Sequence, residues 1–333
     1  MPLQDGDLSH HILVYLKREV NFLSTKVSFL TWNIYRGADI APLIPVATPD
    51  EVTQVFRQFL ATNFPDRAKA IAREIASKKP DLIGLQEAEK WTLKIPNFPV
   101  VTYDLIEILL DELKERGLHY EVAALIKNRV ENFQNLPDSN GNMISFLNRN
   151  AILIRKDHEL KVIKRKAAHF QNTFDGFPRG WCSVDVKVDK HVFRMITTHL
   201  EPLDLQTRIL QAQELVSGPA NTNLPVIISG DLNSPPNIPP FDIPYNTLIA
   251  AGFLDAWLEA VGVDGFTCCQ GPDLLNAVSS LILRIDYILF KNGWKIIDAE
   301  LVGEEQNDRS RTGLWPSDHA GVFASLKLKH HSS

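Results

Sequence analysis

The stretch Val184–Thr198 reads VDVKVDKHVFRMITT, two β-rich runs parted only by Asp189, Lys190 and His191. Parallel neighbours need a crossover of roughly a dozen residues or more. Val184–Val188 and Val192–Thr198 are too close for that, so part of the sheet must be antiparallel. A purely parallel, doubly wound fold is thereby disfavoured, and the rest of the chain is read outward from this pair.

On the N-terminal side, VSFLTWN (Val27–Asn33) is a β-rich run that breaks at Gly37. Thr48-Pro49-Asp50-Glu51 has the pattern of a capping box with proline at the first helical position. It leads into Val52, Val55, Phe56 and Phe59, an apolar stripe at helical spacing. A second helix follows Asp66 and buries Ala68, Ile71, Ala72 and Ile75, and PDLIGLQE then reads as a short buried strand. Asp104 and Glu107 cap a third helix ended by Gly117. Strands are expected at Tyr120–Ala124 and Asn150–Ile154. On the C-terminal side come a helix with Leu205, Ile209, Ala212 and Val216 inward and an apolar run at Val226–Ser229. Strands are expected again at Ile285–Phe290, Lys295–Val302 and Gly321–Leu328. Strands mixed with helices indicate a layered α/β architecture. With no repeat or linker-like shift in composition, we read one domain over residues 27–328, an N-terminal extension over 1–26 and a C-terminal tail over 329–333.

Of the 333 residues, 44% are hydrophobic and 23% charged, a composition that supports a full core. No run approaches the roughly 20 apolar residues that span a bilayer. Lys17, Arg18 and Glu19 interrupt any secretory apolar segment, which points to the cytoplasm. The net charge of −5 argues against wholesale attraction to nucleic acid. Three cysteines, two of them the neighbours Cys268 and Cys269, make neither a disulfide framework nor a CxxC metal spacing.

Several strands end in polar groups that a core would not choose: Trp32-Asn33, Gln86-Glu87, Thr198-His199, Gly230-Asp231-Leu232-Asn233, Arg284-Ile285-Asp286 and Ser317-Asp318-His319. Strand ends and the loops after them are where reactive groups collect in layered α/β proteins. Each segment alone has a plain structural reading. Asn33 can bond its own turn, Glu87 can be an exposed charge, and GDLNSPP can be an Asx-turn. Together they place four carboxylates, two histidines and two asparagines beside strongly apolar strands. Buried carboxylates are costly unless paired or bound to a cation. If the ends converge, a metal ion and a charge-relay pair resolve that cost. Oxygen-rich ligation without cysteine points to a hard cation such as Mg²⁺ or Mn²⁺.

The ordered set LTWNIYRG, PDLIGLQE, TTHLEP, ISGDLNSPP, RIDYILF and WPSDHAGV resembles the endonuclease/exonuclease/phosphatase superfamily, over about Val27 to Leu328. The resemblance leans to its deoxyribonuclease-like and sphingomyelinase-like branch, because typical apurinic endonucleases carry a different residue at the position of His199. It implies a four-layer α/β sandwich, two mixed sheets face to face with helices outside. It implies a Mg²⁺- or Mn²⁺-dependent phosphodiesterase, with nucleic acid preferred to phospholipid as the substrate. Glu87 resembles the principal metal ligand, with Asn33 and Asp318 close to the same ion, and His319 the catalytic histidine held in its tautomer by Asp286. Asp231 and Asn233 resemble the pair that orients the attacking water and the phosphate, and His199 matches the branch's second histidine. On this expectation His319 activates water while Asn33, Asn233 and His199 hold the phosphate. The rival assignment makes Asp231 the base and His319 an electrostatic clamp.

Other segments are weighed against plainer readings. Arg179 either grips a phosphate oxygen or merely opens a strand whose Trp181 lies in the core, and the two readings stand even. For Asn150, at the start of a strand, the structural reading is preferred. Lys161, Lys164, Arg165 and Lys166 read as the solvated face of a hairpin rather than a nucleic-acid or lipid contact. Phe174 and Phe177 read as loop packing before base stacking or lipid contact, Cys268-Cys269 as packing, and His10, His11, His330 and His331 have no assigned role. Besides the nuclease reading stand a sphingomyelinase-like phosphodiesterase, a phosphomonoesterase and a non-catalytic binding scaffold. The last is disfavoured because Glu87, Asp231, Asn233, Asp286 and His319 are all present.

Overall fold

A computed structural model describes residues 25–44, 47–128, 133–157, 159–263 and 265–328. All but two residues of the N-terminal extension, the C-terminal tail and the four terminal histidines lie outside these. Two mixed sheets make up the framework. The first holds β1 (Lys26–Asn33), β2 (Leu82–Gln86), β3 (Lys90–Lys94), β4 (Val101–Asp104), β5 (Tyr120–Asn128), β6 (Leu136–Pro137), β7 (Met143–Arg155), β14 (Trp294–Val302) and β15 (Gly321–Leu328). The second, in the order β12-β13-β11-β10-β9-β8, holds β8 (Lys161–His169), β9 (Gly180–Val188), β10 (His191–His199), β11 (Val226–Asp231), β12 (Leu254–Asp255) and β13 (Asp286–Lys291). The opening pair behaves as its spacing requires: β9 and β10 run antiparallel.

Side-chain alternation divides the apolar residues into three layers. Along β1, Val27 and Phe29 face the second sheet, while Leu30 and Trp32 face helices α1 (Pro49–Ala61), α2 (Phe64–Lys78) and α3 (Leu105–Glu115). Along β10, Phe193 and Met195 face the first sheet and Ile196 faces α4 (Leu205–Ser217) and α5 (Ile243–Ala250). Strands buried on both faces need this period of two on each side. The result is helix, sheet, sheet, helix. No helix among the described residues is long and apolar enough to cross a membrane.

The expected elements are present, with instructive differences. The Thr48–Glu51 capping box forms. Helix α2 starts at Phe64, with Pro65 in its first turn, rather than after Asp66. β7 extends well before Asn150, because it pairs with β2, β3, β5 and β6, and polar Ser145, Asn148 and Arg149 hide its length in the sequence. On α4 Leu205, Ile209 and Val216 are only partly buried; Ala212 is buried as expected, but the rest of the buried face carries Thr207, Arg208, Gln211 and Leu215. Polar bonds turn it inward: Arg208 donates to the carbonyls of Glu201, Pro202 and Asn233, and Gln211 accepts from Glu201 N and donates to Asn172 O. Lys161, Lys164, Arg165 and Lys166 lie exposed on β8, the sheet's edge, where charge discourages pairing with another chain. Cys268 and Cys269, read as packing, are joined as a vicinal disulfide, and Cys182 is a buried free thiol.

The sheets are tightly packed where β2 crosses β10 and β11. There Gly84 faces Thr197 and Ser229, and a Cβ at this position would meet Ser229 Oγ and lie 2.7 Å from Thr197 Oγ1. Two residues on, Gln86 Nε2 donates to Thr197 Oγ1 (2.9 Å). Overpacking a tight interior costs typically about 1–3 kcal/mol. Gly84→Ala should lower unfolding free energy by about that amount in urea titrations, with no change in the m-value.

Candidate active site

Strand direction gathers the polar ends at one rim of the sandwich. β1 and β2 are parallel, with Asn33 beside Gln86, so Asn33 and Glu87 leave the first sheet together. β15 runs antiparallel to β1, which brings the preceding Asp318 and His319 to the same rim. In the second sheet β10 and β11 are parallel and β13 antiparallel, so His199 lies opposite Asp231 and Asp231 opposite Asp286. Arg179 immediately precedes β9, whose N-terminus also lies at this rim.

Asp231 is the meeting point. Its Oδ2 accepts from Asn33 Nδ2 (3.1 Å), faces His199 Nε2 at 3.3 Å and lies 4.0 Å from His319 Nε2. Its Oδ1 accepts from Asn233 N (2.9 Å). Asn233 adopts the left-handed conformation (φ +48°) that asparagine tolerates, and its Nδ2 donates to Leu200 O (3.1 Å). Burial raises the Asp231 carboxyl and Asp286 adds to this, while the two histidines oppose it.

Behind His319, Asp286 Oδ2 is 2.8 Å from Nδ1. Burial opposes a charge on this ring, yet the Asp286 and Asp318 carboxylates and the hydrogen bond to Asp286 outweigh it and raise the His319 pKa well above the usual histidine value. His199 is the reverse case. Burial, reinforced by Arg179, brings it down to about 3, so this imidazole is neutral at physiological pH. The backbone supports the pair, since Trp32 Nε1 donates to His319 O (2.9 Å) and Ser317 Oγ to Asn33 O (2.6 Å).

Glu87, itself at positive φ (+53°), is held by Arg36 through its backbone N (3.0 Å), Nε (2.9 Å) and Nη2. Burial works against the ionised carboxylate, but Arg36 outweighs it and holds Glu87 well below the usual range. Asp318 has no such fork. Burial, with repulsion from Glu87, pushes it up to about 6 against the pull of His319. Asn33 Oδ1 accepts only Tyr35 N (3.1 Å), and Asp286 Oδ1 is buried without a partner. An all-oxygen set of Glu87, Asp318 and Asn33 Oδ1, with one carboxyl short of positive charge, fits a hard divalent cation. Among the described residues, two trios of His, Cys, Asp or Glu have ligand atoms mutually within 4.8 Å: Asp231, Asp286 and His319, and Cys268, Cys269 and His319.

A cleft of about 390 Å³ opens beside Glu87, Asp318 and Arg179. Its apolar wall includes Ile40, Ile44, Phe174, Phe177 and Leu203. Arg179 is buried, its Nε lies 4.0 Å from Glu201 Oε2, and its Nη1 has no partner, so the grip reading gains over a mere strand-start turn. Trp181 is only partly buried. Asn150 is fully buried in β7, and its side-chain amide has no hydrogen-bond partner.

Two arginines central to the site escaped the sequence reading. Arg36 stands in the quoted LTWNIYRG segment, but nothing in its spacing distinguished it. Arg67 had a signal, because it lies on the same face of α2 as Ile71. Fully buried, it donates from Nε to Thr62 O (2.7 Å), from Nη1 to Ile34 O and Pro316 O (both 2.9 Å) and from Nη2 to Tyr35 O (3.0 Å). It thereby ties the segment after Asn33 to the segment before Asp318.

Comparison with known proteins identifies the family and the fold. The model of the Endonuclease/Exonuclease/phosphatase family matches residues 30–319. A family protein from Bacteroides thetaiotaomicron superposes with a TM-score of 0.61 at 16% identity, covering 93% of this chain and 100% of that one. Humanized D. rerio TDP2 gives 0.56 at 18% identity, covering 90% and 98%. D. rerio TDP2 complexed with single strand DNA product gives 0.54 at 17%, covering 91% and 99%. At such identities the structural likeness is one of fold. A sequence comparison with curated proteins gives no match.

Removing the Arg67 guanidinium leaves buried carbonyls unpaired, each costing about 1–3 kcal/mol. Arg67→Met should therefore lose about 3 kcal/mol or more in chemical denaturation. Arg67→Lys should recover only part of the loss, since one ammonium cannot reach acceptors on three segments.

Proposed function

Because the chain belongs to the endonuclease/exonuclease/phosphatase family and has its phosphoesterase fold, we propose that it is a divalent-metal-dependent phosphodiesterase, acting on nucleic acid by in-line attack of water. Residues 27–328 are the single catalytic domain, since both sheets contribute to one rim. The observation that carries this reading is Asp231, which meets Asn33 and His199 and faces a His319 backed by Asp286. Support for a nucleic-acid substrate comes from the fold shared with a TDP2 bound to a single-stranded DNA product.

Glu87, Asp318 and Asn33 Oδ1 would hold Mg²⁺ or Mn²⁺, which as a Lewis acid would offset charge on the phosphoryl and leaving oxygens. The chain's own groups do the rest. Asp231 accepts the proton of the attacking water, and Asn233 and neutral His199 orient water and phosphate. His319, kept cationic by Asp286, donates from Nε2 to a phosphate oxygen, and Arg179 grips another as a fork donor. This favours the rival assignment over the expectation that His319 is the base. The reason is physical: a ring whose basicity is raised this far holds its proton at neutral pH.

A phospholipid substrate is the second reading. It is favoured by Leu203, 75% exposed, and Phe174, 37% exposed, on the apolar wall of the cleft.

The test is hydrolysis of plasmid DNA, single-stranded RNA, sphingomyelin and a bis-aryl phosphate with Mg²⁺, Mn²⁺ or EDTA. Nucleic-acid cleavage abolished by EDTA is expected. Sphingomyelin turnover without DNA or RNA cleavage would select the second reading, and activity indifferent to EDTA would reject both. His319→Ala should lose about 10²–10³-fold in kcat, as for loss of one donor to the transition-state oxyanion.

The pH profile separates the two proton assignments. If His319 acts as a cation, activity falls as pH rises through its raised pKa. Asp286→Asn lowers that pKa and so moves the falling limb to lower pH. If instead the rising limb moves down in Asp286→Asn, His319 is the base.

A further inference from the structure

The proposed reaction gives Cys268 and Cys269 nothing to do, yet the chain holds them against His319. Backbone bonds fix this segment on both sides. Cys268 N donates to Leu283 O (2.9 Å), Gln270 N to Asp318 O (2.8 Å) and Ala320 N to Thr267 O (2.8 Å), so Cys268 bridges His319 as a strand neighbour. One ligand atom from each of Cys268, Cys269 and His319 lies within 4.8 Å of the other two. Cys268 is buried and Cys269 exposed, which gives a solvent route to the trio.

We propose that in the dithiol form Cys268 and Cys269 join His319 in a binding site for a thiophilic divalent cation of the zinc class, and that filling it switches hydrolysis off. Thiolate and imidazole select such ions, whereas the all-oxygen set at Glu87 selects hard ones, so the two neighbouring sites sort cations by softness. A zinc-ligating histidine almost always donates its other ring N–H to a carboxylate or carbonyl. Asp286, 2.8 Å from Nδ1, already supplies that partner and leaves Nε2 for the metal. Once the sulfur–sulfur bond is opened, ligand distances of about 2.3 Å to sulfur and 2.0–2.1 Å to nitrogen let one ion reach both thiolates and the imidazole that faces them. The two thiols and the imidazolium each release a proton as the ion binds. An imidazole occupied by metal at Nε2 cannot donate there to a phosphate.

In the structure the two sulfurs are joined. A phosphine reductant opens the pair by supplying two electrons, water supplies the two protons and the oxygen, and the phosphine leaves as its oxide. The inhibitory half of the proposal rests on the role given to His319 above. The cation site itself rests only on the sulfur–imidazole geometry.

The test uses the full chain reduced with a phosphine, titrated with Co²⁺ by absorption and with Zn²⁺ by calorimetry. One tight equivalent with a thiolate-to-cobalt charge-transfer band is expected, absent from the oxidised chain and from Cys269→Ser, whose substitution at an exposed position spares the fold. Asp286→Asn should weaken Zn²⁺ binding by about 10–100-fold. In the Mg²⁺-supported assay, Zn²⁺ should inhibit the reduced native chain and leave Cys269→Ser active. No charge-transfer band in the reduced chain, or a band unchanged in His319→Ala, overturns the site. Equal Zn²⁺ inhibition of the native chain and Cys269→Ser overturns the switch. A chain that binds Co²⁺ through sulfur but hydrolyses nothing refutes the phosphodiesterase reading and leaves the cation site standing.

Discussion

The guanidinium of Arg67 has no carboxylate partner, and its work is structural. Four hydrogen bonds to backbone carbonyls spread its charge over three chain segments. Two of those segments carry Asn33 and Asp318, whose relative position decides whether their oxygens can share an ion. Burial lowers the Arg67 pKa to about 10, which still leaves the charge in place at neutral pH. Planarity and a fork of donors suit arginine to this task where lysine would offer a single point charge.

The second sheet adds its share without any such clamp. Ladder register sets His199, Asp231 and Asp286 as direct neighbours across three adjacent strands. The Asn33–Asp231 hydrogen bond and the Gln86–Thr197 contact then tie one sheet's rim to the other's. Groups placed this way sit on rigid elements, and their spacing is inherited from the sandwich. Opposite environments on two histidines complete the design. His199 is stripped of charge by burial and Arg179, while His319 keeps charge through its carboxylate neighbours.

Most of this was legible in the sequence where the signal was local. The Val184–Thr198 pair announced a mixed sheet, the Thr48–Glu51 box announced α1, and polar residues at the ends of apolar runs marked the rim. What escaped was set by partners distant in sequence. β7 was read too short because its first half is defined by strands β3 and β6, not by its own alternation. The face of α4 was misjudged because Arg208 and Gln211 are buried by carbonyls of a neighbouring loop, which no helical period encodes. Arg36 stayed silent for the same reason, since its value lies wholly in the carboxylate it meets.

That Arg36–Glu87 fork has a bearing on how the protein is made. A rim carrying several buried carboxylates would ordinarily be under repulsive stress until an ion arrived. Here a tethered cation, Arg36, keeps Glu87 neutralised in the folded chain. An ion arriving at Glu87 would then meet a carboxylate that already has a positive partner, so the surrounding architecture would not depend on the ion for its charge balance.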